Sequence, residues 1–74
     1  MVLLERFYNA YSQSLGIEGS QKVVNEAVAE AGLEIKKEYS REEALKLCEV
    51  LKSKSGFVKI IAGFLMARLI IDKT

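Results

Sequence analysis

The side chains able to do chemistry are few and scattered. The chain has one cysteine, Cys48, and no histidine. A thiol or hydroxyl nucleophile needs a base beside it, and imidazole is the usual one. Cys48 follows Leu47 and falls in line with Leu45 and Leu51 at helical spacing, so it reads as a small apolar residue on a buried stripe. Glu42 and Glu43 are adjacent carboxylates. They belong, however, to Ser40-Arg41-Glu42-Glu43, a capping box in which Ser40 is the N-cap and Glu43 the reciprocal acceptor. Acidic residues are expected at such a helix start. A general acid would need burial to raise its pKa, and this position is expected to face water.

Gly16-Ile17-Glu18-Gly19-Ser20 is only loosely like an anion-binding turn. It lacks a P-loop's lysine spacing and preceding strand, and Glu18 sets a negative charge where phosphate would sit. A helix–helix turn is the plainer reading. Phe7, Tyr8 and Tyr11 are expected in the core, with the phenol oxygens at its rim. Arg68 is expected to pair with Asp72, four residues on. No Cys/His cluster is present to hold zinc. The expectation is therefore a protein that is not an enzyme, with no catalytic residue, metal or cofactor.

Those residues must be carried by a single domain, 1–74. So small a domain is marginal without added support, and one cysteine cannot form an internal disulfide. Half the residues are apolar. That surplus favours a subunit interface. Net charge is +1, unevenly placed: residues 1–35 carry two basic and five acidic side chains, residues 36–74 nine basic and five acidic. The second half is well short of a dense phosphate-binding patch. No secretory signal is visible at Met1-Val2-Leu3-Leu4-Glu5-Arg6. A lone cysteine suits a reducing compartment, and the expected location is the cytoplasm.

Proline is absent, and glycine does the punctuation. Leu15-Gly16-Ile17, Ala31-Gly32-Leu33 and Ser55-Gly56-Phe57 each end an apolar-periodic run with Gly and then an apolar residue. This marks a helix closed by a left-handed glycine. Ser20 is a plausible N-cap before Gln21. The spacing predicts helices near 2–15, 21–31, 41–55 and 57–72. The fold class is all-α: four helices as two hairpins around an apolar C-terminal helix. A faint repeat at a shift of 37 residues aligns Gly19–Val24 with Gly56–Ile61, as any two amphipathic hairpins would align, and under either reading the architecture is two hairpins. Leu33, Ile35 and Tyr39 alternate and suggest a short strand. That strand would need a second copy to pair with.

The last helix is the most apolar. Phe57, Ile60, Phe64, Ala67 and Ile71 share one face, and Val58, Leu65 and Leu69 a second. A helix apolar over most of its circumference is surrounded by protein or lipid. The expected core is Phe57, Ile60, Phe64, Leu65 and Leu69, with Phe64 the most buried large side chain. Lys59, Gly63, Met66 and Ile70 are the expected interface, since they lie on the side least covered within one chain.

The functional expectation is a small interaction module or subunit that forms a homo-oligomer or binds an unidentified protein partner through apolar helix faces. The alternative is a dimeric DNA-binding regulator using residues 33–72. In that case the order of strand, helix and helix resembles a ribbon-helix-helix regulator, or the last two helices form a helix-turn-helix. Glu34 and Glu38 beside Lys36 oppose phosphate binding, and the last helix is too apolar to enter a groove. A membrane partner is disfavoured too. The apolar run of about 15 residues is short of the roughly 20 that span a bilayer, and it lacks the strongly polar face of an interfacial helix.

Overall fold

A computed structural model describes residues 1–71. The elements are β1 (Val2–Leu3), α1 (Leu4–Glu30), β2 (Glu38–Tyr39), α2 (Arg41–Lys52) and α3 (Phe57–Ile71). The fold is mostly helical, with three helices rather than the four separate ones expected.

The difference lies at one residue. Gly16, with φ 76° and ψ 175°, breaks the helical backbone inside α1 and divides it into two arms. That conformation is essentially restricted to glycine. The turn is complete in a single residue, so no loop follows, and the second arm resumes at Ile17 rather than 21. Ser20 is accordingly not an N-cap. It is buried within the helix, and its hydroxyl donates to the Ile17 carbonyl at 2.8 Å. The elbow is also tight: a Cβ on Gly19 would stand 3.0 Å from Leu15 Cβ. Gly19 is thus helical while Gly56 takes φ 68°, and the two glycines aligned by the 37-residue shift do different jobs.

The other boundaries follow from local chemistry. α1 closes in a Schellman arrangement, with Leu33 N–H donating to Val28 O and Gly32 N–H to Ala29 O, both at 3.0 Å. The capping box of α2 is formed. Glu43 N–H donates to Ser40 Oγ at 3.1 Å, and Ser40 N–H to Glu43 Oε1 at 2.9 Å. These bonds, the Ser40 backbone first and the Lys36 ammonium next, hold the Glu43 carboxyl below its ordinary pKa.

The short strand pairs within the chain. Val2 faces Tyr39 and Leu3 faces Glu38 in an antiparallel ribbon, extended by Leu4 N–H to Lys37 O at 2.9 Å. The expectation that residues 33–39 need a second copy is corrected on this point. The N-terminal residues, read as helical, supply the missing strand.

The core centres on α1 and α2. Tyr11, Tyr39, Phe7, Leu47 and Leu51 are among its largest fully buried side chains. The Tyr11 hydroxyl donates to Val58 O at 2.7 Å and ties α1 to α3. The Tyr39 hydroxyl donates to Glu34 O at 2.7 Å and accepts from Lys36 N–H at 3.2 Å. Every buried side-chain polar atom among the described residues has a partner, as a small core requires.

α3 packs chiefly on α2. Of the five residues expected in the core, Leu65 and Leu69 are buried. The other three correct the expectation: Phe57 and Phe64 are each 69% exposed, and Ile60 is 55% exposed. The helix has two apolar faces, and this chain has elements enough to cover one. The covered face carries Ala62 at its centre. A small residue there lets α2 approach closely, and the bulkier phenylalanine face is left outside.

Candidate functional site

The residues whose types suit catalysis are not brought together. Cys48 is fully buried, and burial pushes its thiol up to about 11. A thiol held so is not a ready nucleophile. Glu42 stays on the surface, and Glu43 is engaged by the cap and by Lys36 Nζ at 3.1 Å. No group of three or more His, Cys, Asp or Glu among the described residues could hold a metal ion. Tyr8 is half-buried, and its hydroxyl donates to Asn25 Oδ1 at 2.5 Å. Arg68 is exposed. Its expected partner, Asp72, lies outside the described residues.

One cleft is formed by the Gly16 elbow. It opens between the two arms of α1, encloses about 570 Å³ and is lined by Leu3, Tyr8, Asn9, Ser12, Ile17 and Gln21, among others. It falls in the size range of ligand sites. Its polar groups are surface side chains and two inner hydroxyls that are already engaged, Tyr8 by Asn25 and buried Ser20 by the Ile17 carbonyl. It depends on the bend in α1, which brings Ile17 and Tyr8 to the lining of one cleft.

The more distinctive surface is the outward face of α3. Phe57, Ile60, Phe64, Ala67 and Ile71 are all exposed, Ile71 to 72%. Their spacings run three, four, three, four. This is the a/d seam of a coiled coil, with phenylalanine or isoleucine at a and isoleucine or alanine at d. The buried residues Ala62, Leu65 and Leu69 occupy the b and f positions on the opposite side. α3 therefore shows one apolar face to its own domain and a second to the outside. Its 15 residues span about 22 Å.

Of the predicted interface residues, Gly63 and Ile70 flank this seam at g positions, while Lys59 and Met66 lie off it at c positions. Ile70 is 56% exposed, and Lys59 is exposed. Gly63 is half-buried with open space where a Cβ would stand. Met66 turns toward the domain, packing on the core, with its sulfur 4.0 Å from Lys52 Nζ. The seam itself was legible as one face of the helix, and what periodicity left open was which of the two faces turns inward.

No helix among the described residues is long and apolar enough to cross a membrane. Comparison of the chain with protein-family models, curated proteins and solved structures finds no match.

Proposed function

We propose that this chain is a small non-enzymatic interaction module whose working surface is the outward seam of α3. The observation that carries the reading is the exposure of Phe57 and Phe64, 69% each, at heptad spacing with Ile60 and Ile71. Isolated exposed apolar residues are ordinary, but a contiguous stripe on a single helix marks a contact surface. Docking would be driven by removing that stripe from water, at about 25 cal/mol per Å² of apolar surface. Specificity would come from the 3–4 spacing, which admits another helix laid along the seam.

The test uses a photoreactive benzophenone side chain in place of Phe64, with the same group at exposed Gln13 as control, in cells producing the chain. Covalent adducts at position 64 and none at position 13 are expected, whether to another copy or to a different protein. No adduct at position 64 above the control overturns the reading.

A further inference from the structure

The geometry points to a second copy of this chain as the occupant of the seam, the two α3 helices pairing antiparallel with Phe64 of each over Ala67 of the other. The inference rests on the interaction reading above and specifies the partner.

The first argument is area. With Phe57 and Phe64 at 69%, Ile60 at 55% and Ile71 at 72% exposure, the seam and its rim present on the order of 500 Å² per copy. Two copies bury on the order of 1,000 Å², the least that a specific interface needs. The surface thus reaches the lower bound for a specific interface.

The second argument is shape. In an antiparallel coiled coil, a positions of one helix face d positions of the other. Pairing Phe64 with the partner's Ala67 sets Ile60 against the partner's Ile71. By the dyad, the same layers recur in reverse order. The Phe64 ring of each copy then meets a methyl group, and the isoleucines meet each other, so these layers fill evenly, with Phe57 at the end of the seam. A parallel pair would set Phe64 on Phe64 and Ala67 on Ala67, one layer overfilled and one empty. The antiparallel pairing also opposes the two helix dipoles.

The third argument is charge. Lys59 and Arg68 are the charged residues within Phe57–Ile71. In this pairing Arg68, at an e position, runs along the side of the seam that carries the partner's Ile61. Its stem can cross there and reach solvent. Lys59 is at a c position, off the seam. The two Arg68 side chains share one side of the seam, about 7.5 Å apart along it, a separation that lets the guanidinium groups turn away from each other into water. A lipid surface would call for more basic residues around the stripe than these two.

Three measurements on the purified chain test this. Mass by light scattering or sedimentation should rise from 8.3 kDa to twice that value across the micromolar range. Phe64→Glu and Ile60→Glu should each remain at the single-chain mass with parental helicity. Both positions are exposed in the single chain, so folding is not at stake, and each variant checks the other. An equimolar mixture of Phe64→Cys and Ala67→Cys, air-oxidised, should give the mixed 64–67 disulfide far beyond the twofold excess over each like pair that random pairing yields, with the like pairs nearly absent. Buried Cys48 stays out of that reaction. A parent that stays at the single-chain mass to several hundred micromolar overturns the inference. So does a predominant 64–64 disulfide, which would mean parallel pairing. Binding of the monomer to vesicles containing phosphatidylserine, lost in Phe64→Glu, would give the seam to lipid and overturn it as well. A monomeric chain that still yields adducts to other proteins at position 64 leaves the interaction reading standing while removing the second copy. Absence of both dimer and adduct removes the two together.

Discussion

Two aromatic clusters in this chain obey opposite rules. Phe7, Tyr11 and Tyr39 lie at the junction of α1, α2 and the β ribbon and are essentially inaccessible. Phe57 and Phe64 on α3 have no polar atom to solvate, yet more than two thirds of each is exposed. Hydrophobicity alone would reverse this, placing phenylalanine inside and tyrosine at the rim. What decides is whether a packing partner exists. The tyrosines sit where three elements converge, and each phenol finds a carbonyl: Val58 O for Tyr11 and Glu34 O for Tyr39. A buried hydroxyl so bonded fixes the geometry of its cluster. The phenylalanines sit on the far side of a helix already anchored by Leu65 and Leu69. No element among the described residues covers them. The first cluster specifies the fold, and the second is surplus to it.

The comparison breaks most easily at Tyr11. Tyr11→Ala should cost about 3–5 kcal/mol, the range for removing a large aromatic from a core. For a domain this small that approaches the whole stability. Loss of a cooperative thermal transition is the expected result. Retention of the parental midpoint would show that the convergence point is elsewhere.

A backbone variant comes next. Gly16→Ala should cost about 2 kcal/mol, because the φ and ψ of Gly16 lie in a region that other residues occupy only under strain. The effect should appear in chemical denaturation as a lower midpoint. A neutral result would mean that α1 straightens without loss, and that the elbow does not hold Tyr8 and Asn25 together.

Ser40→Ala is smaller again, about 1 kcal/mol for a lost N-cap. Its partner gives a pH signature. Glu43 has a pKa in the folded chain below its ordinary value of 4.5. Between the two values the unfolded chain binds more protons, so stability rises with pH. The Glu43 contribution is fully present above the ordinary value and is lost as pH falls through the folded one. The stability difference between the parent and Glu43→Gln should therefore be constant near neutrality and shrink on acidification. A difference that persists to low pH would show that the carboxylate charge is not what matters.

Local signals in the sequence were the most legible. The capping box at Ser40 and the glycines at 16, 32 and 56 depend on residues within one turn of one another; the box is formed and all three glycines have positive φ, but Gly16, at ψ 175°, is an elbow rather than a left-handed cap, and α2, expected over 41–55, ends at Lys52, so that Gly56 leads into α3 instead of closing α2. The α1 boundaries were less so. A helix break at Gly16 was expected, but a one-residue elbow depends on Gly19 fitting against Leu15, a tertiary contact. Pairing of Val2–Leu3 with Glu38–Tyr39 joins segments more than thirty residues apart, beyond any local periodicity. The inward face of α3 was the least legible. Both faces are apolar, and the choice turned on Ala62, whose small size matters only once α2 is set against it.

Phe64→Ala carries the smallest expected effect and says the most about the second cluster. Were Phe64 a core residue, its loss would cost about 3–5 kcal/mol. On an exposed face the change should stay within about 0.5 kcal/mol, the usual bound for surface positions. That holds for the chain measured dilute. In a self-associating protein, stability depends on concentration, because pairing favours the folded state by mass action. The parent should therefore gain in melting temperature as its concentration is raised. Phe64→Ala should gain less, so that the two match when dilute and diverge when concentrated. A large loss for the variant at every concentration would return Phe64 to the core and invalidate the contrast between the clusters. Equal melting temperatures at every concentration would leave α3 a helix whose second apolar face has no role in holding copies of this chain together.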